Sequence, residues 1–174
     1  SMQKYQKYFP IFDEKDNLTN IFINVTNVED KKGLVKIGNE RVISARLSDA
    51  KFFWEKNKAQ SLVKQVINLK SINLYSKLGT VFDKVQRIKK LGGMIADQLN
   101  LNKEKVEISA SICKTDLLSD LVGEYPELQG VLGSYFAKAQ GFDEDICLAI
   151  REHYLPLGLD SKIPKKLVSV AVSI

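Results

Sequence analysis

The chain has 174 residues, 44% of them hydrophobic and 9% aromatic, which is enough to bury about 70% of the surface that its unfolded form exposes. Lys and Arg number 26 against 21 Asp and Glu, a net charge of +5 that favours contact with phosphate groups but is equally typical of charges that serve only solubility. Since no apolar run approaches the ~20 residues of a membrane span, we expect a cytoplasmic protein that contacts no membrane.

The first 28 residues have the pattern of a β-hairpin. Residues 8–12 and 21–26 are rich in aromatic and β-branched residues, and the turn-forming residues 13–17 lie between them. A lone hairpin is only marginally stable, so we expect this one to pair with residues upstream or to pack on the helices that follow. Ser1-Met2 resembles a remnant of expression, and we expect the natural chain to continue upstream.

From Glu29 onward the apolar residues recur with a helical period and predict about six to seven helices. Several of these helices have a residue suited to the N-cap or first turn: Thr80, Asn102, Pro126 and Asp143. Thr80 and Asp83 have the spacing of a capping box. The helix after Asn102 is predicted to run to Leu121, and residues 167–174 to form a helix or a strand. The apolar stripes predict a single core that contains Ile43, Leu47, Trp54, Val85, Leu117, Leu121 and Leu132.

Two pairs of residues are predicted to be structural. Arg46 and Asp49 lie three residues apart beside an apolar stripe, which predicts a buried or half-buried pair that fixes helix geometry. Cys113 and Cys147 lie among apolar residues, outside any Cys-x-x-Cys motif or Cys/His cluster. They are expected to be small core residues in a reducing compartment.

The sequence has few residues suited to catalysis. Its one histidine, His153, lies near the end of a predicted helix, where a partly exposed or helix-capping histidine is more typical than a metal ligand. Nucleophile-elbow and phosphate-loop motifs are absent from the sequence. Carboxylates close together in sequence could ligate a divalent cation, although such sets usually form helix caps and surface pairs: Asp116, Asp120, Glu124 and Glu127. We assign no catalytic residue and no metal ligand.

Basic residues offer a different kind of site. They cluster on and just before the helix that Thr80 opens: Lys77, Lys84, Arg87, Lys89 and Lys90. Lys84 and Arg87 lie three residues apart, on the side away from the apolar stripe, and such a patch can neutralise phosphates. The alternative interpretation is an ordinary solvated helix face.

Two runs are too particular to be generic helix. Residues 38–54 read GNERVISARLSDAKFFW, and residues 122–137 read VGEYPELQGVLGSYFA. With residues 152–156, EHYLP, they resemble the β subunit of the bacterial two-subunit glycyl-tRNA synthetase. The resemblance extends over nearly the whole chain.

The resemblance implies a mainly α fold. Residues 1–30 would be the hairpin end of a truncated β-rich domain. Residues 31–174 would form a helical domain related to HD-type phosphohydrolases, truncated at its C-terminus. In this family the HD-like domain has lost its metal ligands, and the sequence agrees because it has one His and no His-Asp dipeptide.

The resemblance also implies a function. The family's α subunit activates glycine with ATP and Mg²⁺, whereas the β subunit contributes to tRNA(Gly) binding and to assembly of an α2β2 heterotetramer. Our first hypothesis is therefore a non-catalytic part of that β subunit, without a cofactor of its own and inactive alone. The alternative is a divergent HD-type phosphohydrolase that holds a divalent metal near Asp116, Asp120, Glu124 and His153.

Overall fold

The predicted hairpin is present in the computed structural model, which describes Gln3 and residues 7–75 and 77–173. Strand β1 (Tyr8–Phe12) pairs antiparallel with β2 (Leu18–Asn24), with Phe9 opposite Ile23. The Asp13 carboxylate accepts hydrogen bonds from the backbone N–H groups of Lys15 and Asn17, at 2.9 and 2.8 Å. This side chain therefore holds the turn between the strands.

The remainder is mainly helical, as predicted. The described residues contain eight α-helices: α1 (Leu34–Lys58), α2 (Leu62–Gln65), α3 (Val81–Gln98), α4 (Lys103–Ile112), α5 (Asp120–Glu124), α6 (Val131–Ala139), α7 (Glu144–Glu152) and α8 (Leu167–Val172). Three 3₁₀ helices lie between them: Val66–Ser71, Thr115–Leu118 and Pro126–Leu128. A short antiparallel pair, β3 (Asn73–Tyr75) and β4 (Gly79–Thr80), precedes α3 and has no counterpart in the sequence prediction.

Two predicted helices are interrupted for local reasons. The helix after Asn102 ends at Ile112 instead of running to Leu121, and the 3₁₀ helix Thr115–Leu118 follows it. Ser119 then adopts an extended backbone and caps α5, accepting a hydrogen bond from Val122 N–H at 3.1 Å. Pro126 opens only a 3₁₀ turn. The following α6 begins after Gly130, whose φ of +76° is incompatible with continuing an α-helix.

The chain divides into two compact units, Ser1–Asp49 and Ala50–Ile174. The predicted boundary after residue 30 falls within the first unit, after the hairpin and before α1. The assignment of residues 1–30 and 31–174 to two domains of the family stays a prediction. Among the described residues, none of the helices combines the length and the apolar character that crossing a membrane requires.

The predicted single core is partly wrong. Leu121 and Leu132 are buried in the main hydrophobic cluster of the second unit, where Trp54 packs partly buried. Val85 is fully buried but belongs to a smaller cluster, and Leu117 packs against both clusters. The first unit differs, since Ile43 is only half-buried and Leu47 is 56% exposed. Periodicity identified their helix face but not whether other residues cover it.

The two structural pairs have different outcomes. Arg46 and Asp49 are both exposed, so the expectation of a buried or half-buried pair is wrong. Both cysteines are buried and free, as predicted. Burial raises the pKa of the Cys113 thiol to about 12, which makes it unreactive near neutral pH.

Candidate nucleic-acid interface

Helix α3 carries most of the predicted basic residues, and its start is fixed by the capping box that the sequence predicts. Asp83 Oδ2 accepts a hydrogen bond from Thr80 N–H at 2.7 Å, and Thr80 Oγ1 accepts one from Asp83 N–H at 3.3 Å. The Thr80 N–H is the main reason why the pKa of Asp83 lies below its usual value. On the inner side of the helix, Val81, Val85 and Ile88 are buried, which directs the basic side chains elsewhere.

Three of the basic residues form a row on α3. Successive residues of an α-helix advance by about 100°, so Lys84 and Arg87 lie about 60° apart, and Lys90 follows Arg87 by about 60°. Lys89 lies about 140° from Lys84 in the opposite sense. Arg87 and Lys90 are exposed, and Lys84 is half-buried. The row therefore presents successive cations about one turn apart.

Lys84 and Arg87 meet at one shallow cleft of about 320 Å³. Its other lining residues are apolar: Leu74, Leu78, Ile88 and Leu91. The Arg87 guanidinium donates a hydrogen bond from Nη2 to the Leu78 carbonyl oxygen at 3.2 Å, which orients it against the β3–β4 turn.

The other two basic residues are placed differently. Lys77 is exposed in the turn between β3 and β4, where its φ is +74°. Lys89 Nζ lies 3.7 Å from Glu107 Oε2 of α4, so its charge already has a partner. The structure thus brings Lys84 and Arg87 together, extends their row to Lys90, and separates Lys89 from it. Phosphate contact by any of these five residues stays a prediction.

The residues of the alternative metal site do not form a cluster. Asp120 forms a salt bridge with Lys56 at 3.0 Å and accepts a hydrogen bond from Asn57 at 2.9 Å. Glu124 is exposed, and His153 is a buried residue at the C-cap of α7. Over residues 7–75 and 77–173 there is no group of three or more His, Cys, Asp or Glu side chains that could hold a metal ion. The phosphohydrolase alternative therefore has no support in this geometry.

Asp116 has a structural role in the second unit. Its buried carboxylate oxygen Oδ2 accepts hydrogen bonds from the backbone N–H groups of Gly130 and Gly133, at 2.6 and 3.2 Å. Burial raises the pKa of Asp116, and these two N–H groups act in the opposite direction. Gly133 also fits closely, because a Cβ there would lie 3.0 Å from Asp116 Oδ2 and from Ile150 Cγ2. The two glycines thus permit close packing around the Asp116 carboxylate.

Sequence reasoning missed one charged residue. Lys114 is only 5% exposed, and its Nζ lies 3.5 Å from the centre of the Tyr154 ring. It lines a second cleft with Lys84 and His153. Lys84 and Ile88 line both this cleft and the one that contains Arg87. The available signal was a lysine in the run Ile112-Cys113-Lys114-Thr115, where the apolar neighbours favour burial.

Known proteins resemble this chain over its whole length. A family model described as glycyl-tRNA synthetase beta subunit matches residues 1–174. The chain is 42% identical to the glycine–tRNA ligase beta subunit of Thermodesulfovibrio yellowstonii over 99% of its own length. It is 40% identical to that of Pseudomonas savastanoi and 42% identical to that of Geotalea uraniireducens, over 100% of its length in both cases.

These relatives are longer proteins, since the chain spans about a quarter of their length, 26% in each of the three. The match confirms the resemblance carried by residues 38–54 and 122–137. The chain belongs to the glycyl-tRNA synthetase beta subunit family.

Proposed function

We propose that this part of a glycine–tRNA ligase beta subunit contributes to tRNA(Gly) binding through the row formed by Lys84, Arg87 and Lys90 on α3. The row contacts the tRNA backbone, because cations spaced about one helical turn apart can follow successive phosphates. Lys77 supplies a further charge from the adjacent turn. Lys89 has a smaller role, since Glu107 already neutralises it.

One observation supports this proposal: the row forms no salt bridge with the described part of the protein. Within the part of the chain that the structure describes, no carboxylate forms a salt bridge with Lys84, Arg87 or Lys90. The nearest acid in sequence, Asp83, accepts hydrogen bonds from the Thr80 backbone N–H and hydroxyl groups at 2.7 and 2.8 Å, and its charge also acts on Arg87. Lys84 and Lys90 are the two cations of the row most available for an external anion.

The proposal is tested by reversing two charges, Lys84→Glu with Arg87→Glu, in the full-length beta subunit assembled with its α subunit. Binding of tRNA(Gly) is measured by fluorescence anisotropy over a series of salt concentrations. The double variant is expected to bind more weakly, and its slope of log affinity against log salt to fall by about two, since each phosphate contact contributes about 0.9. Glycine activation with ATP is expected to be unchanged.

A matched control reverses Lys162 and Lys165, which are exposed, three residues apart and outside α3. The control changes net charge by the same amount and is expected to alter the slope much less. Equal effects of the two double variants would mean that α3 supplies only general charge. An unchanged slope in the α3 variant would contradict the proposal, because tRNA would then be held by other parts of the subunit.

The assembly and the catalytic role belong to the same proposal. The partners are the α subunit, in a cytoplasmic α2β2 heterotetramer, and tRNA(Gly). ATP and Mg²⁺ are used on the α subunit, and the HD-like domain acts as a scaffold. The chain alone is expected neither to form glycyl-adenylate nor to hydrolyse nucleotides, which a pyrophosphate- and phosphate-release assay measures. Hydrolysis that disappears in His153→Ala would contradict this.

A further inference from the structure

The cleft beside Lys114 has features that the tRNA-binding proposal does not use. Lys114 follows α4 and is almost completely buried, with its ammonium against the Tyr154 ring. Burial lowers the pKa of Lys114 to about 8, so that the group is still mainly protonated at pH 7. An ammonium taken out of water is unfavourable unless it is paired. The aromatic ring compensates in part, because its face attracts a cation.

A second cation faces the same space. Lys84 of α3 lines the cleft, and its charge acts to lower the pKa of both Lys114 and His153. No described carboxylate forms a salt bridge with either lysine. Asp116 lies close enough to influence Lys114, but it is absent from the cleft lining, and its Oδ2 is engaged by two backbone N–H groups. Two like charges thus share one cleft without a counter-charge in its wall.

His153 adds an acceptor to this cleft. Its Nδ1 pairs with the Ile150 carbonyl oxygen at 2.5 Å, and since a carbonyl only accepts, Nδ1 carries the proton. Burial lowers the pKa of His153 to about 3, so the ring is neutral and Nε2 is an acceptor. Among the described residues Nε2 is buried without a hydrogen-bond partner. A bound group with an O–H would satisfy it.

The size and the remaining walls fit a small oxyanion. The cleft has a volume of about 280 Å³, and its lining contains no acidic residue. Apart from the two lysines, His153 and Tyr154, the lining consists of apolar residues and Ser173. Ser173 Oγ lies near enough to Ser169 and Glu152 carbonyl oxygens to donate to one of them, at 2.7 or 3.3 Å. The donors left for a ligand are therefore the two ammonium groups.

We propose that the cleft formed by Lys84, Lys114, His153 and Tyr154 binds a phosphate group that carries an O–H, either inorganic hydrogen phosphate or the singly protonated end of a phosphate monoester. Lys84 and Lys114 pair with the charged oxygens, and His153 Nε2 accepts the hydrogen bond from the O–H. A phosphodiester of a nucleic-acid backbone has no O–H to donate. The ligand class therefore differs from the backbone contact proposed for α3, and the inference does not depend on that contact.

The first test is calorimetric titration of the 174-residue chain with inorganic phosphate and with sulfate at constant ionic strength near pH 7. Phosphate is expected to bind saturably and more tightly than sulfate, because sulfate carries no proton at this pH. Lys114→Met is expected to weaken phosphate binding by about tenfold or more. This variant removes a buried charge, so it is expected to remain folded, which its circular dichroism spectrum checks.

Two further variants separate the roles. Lys89→Met, on the opposite side of α3 and paired with Glu107, is the control and is expected to leave phosphate affinity unchanged. His153→Gln is expected to reduce the preference for phosphate over sulfate. Absence of saturable phosphate binding, or equal affinity in the wild type and Lys114→Met, would overturn the proposal. Equal affinity of the wild type for phosphate and sulfate would show that His153 does not accept a hydrogen bond from the ligand.

The source of the phosphate is distinguished by two more titrations. Both are made at pH 6, where about half of the monoester groups carry the O–H. One uses a nucleoside 5′-monophosphate, and the other compares a short RNA bearing a 5′-phosphate with the same RNA bearing a 5′-hydroxyl. If Lys114→Met weakens the binding of free phosphate and of the nucleotide but not of RNA, the ligand is a small molecule. If the wild type prefers the 5′-phosphorylated RNA and Lys114→Met abolishes this preference, the ligand is an RNA terminus. An RNA titration insensitive to both the 5′-phosphate and Lys114→Met would exclude the RNA source.

Discussion

The two units of the chain use their apolar residues in opposite ways. Among described residues 7–49, Tyr8 is the only buried hydrophobic side chain. Exposed residues there include large ones of both the hairpin and α1: Phe12, Leu18, Ile21, Ile23, Val25, Leu34, Ile37 and Leu47. In residues 50–174 the main cluster extends from Leu62 to Val172 and has buried contributions from α3, α4, α6, α7 and α8.

The first unit has one edge-to-face ring pair, Tyr8 and Phe22, and several polar contacts. The Tyr8 hydroxyl donates to Asn39 Oδ1 at 2.7 Å, and the Asp30 carboxylate accepts hydrogen bonds from the backbone N–H groups of Val35 and Lys36, at 3.1 and 2.9 Å. Hydrogen bonds of this kind each contribute about 0.5–1.5 kcal/mol, less than a buried aromatic or aliphatic side chain. The difference indicates that the stability of the chain resides mainly in residues 50–174.

The largest expected difference between the units comes from removing an aromatic ring from each. Phe136 is 1% exposed and stacks on Trp54 with ring centres 5.2 Å apart. Phe136→Ala is expected to lower the free energy of unfolding by about 3–5 kcal/mol. The matched control, Phe12→Ala, removes a ring that is 54% exposed and is expected to cost less than about 1 kcal/mol. Urea unfolding followed by circular dichroism measures both, and similar losses would break the comparison.

A second prediction concerns the buried charge of the second unit. Lys114→Met is expected to raise the free energy of unfolding at pH 7 by about 1–3 kcal/mol, because it removes an unpaired buried ammonium. The gain depends on pH. The pKa of Lys114 is about 8 in the folded chain against 10.5 for an ordinary lysine, so between these values the folded state binds fewer protons than the unfolded state. Wild-type stability therefore rises with pH in this window.

The gain in the free energy of unfolding of Lys114→Met over the wild type should accordingly be complete below pH 8 and shrink between pH 8 and 10.5. Urea titrations of both proteins across this range provide the measurement. A constant difference at every pH would show that the lysine is not desolvated in the folded chain. A loss of stability at pH 7 would show that its contact with the Tyr154 ring outweighs the cost of burial.

A third prediction compares two glycines of the second unit. Gly133→Ala places a Cβ 3.0 Å from Asp116 Oδ2 and Ile150 Cγ2, and is expected to cost about 1–3 kcal/mol by overpacking. Gly123 of α5 has no atom within 4 Å of the corresponding Cβ position, so Gly123→Ala is expected to stabilise by about 0.5–1 kcal/mol. Thermal unfolding that shifts equally in both variants would mean that the Asp116–Gly133 packing is loose.

Sequence reasoning succeeded where the cause is local. The Thr80–Asp83 capping box, the Asp143 N-cap of α7 and the hairpin turn at residues 13–17 depend on neighbouring residues, and all three are present. The row Lys84, Arg87 and Lys90 was likewise predictable, because the helical period alone determines which residues share a side.

The predictions that failed concern side chains whose surroundings are formed by residues distant in sequence. Periodicity placed Leu47 on an apolar helix face, but Leu47 itself is 56% exposed. Lys89 was grouped with the other cations because its partner Glu107 belongs to another helix. Lys114 was overlooked since its burial arises from the packing of α3 and the segment after α7 around it. Of these three cases only Lys114 has a signal in nearby sequence, since its apolar neighbours favour burial.

The central claim is that residues 50–174 carry the core of this chain and residues 7–49 do not. Native-state hydrogen exchange tests it most directly, because amides in a core open only with global unfolding, whereas amides of a unit without a core exchange through local opening. The account predicts the strongest protection in α4 and α7, and much faster exchange in β1 and β2. Equal protection of the hairpin and these two helices would contradict it.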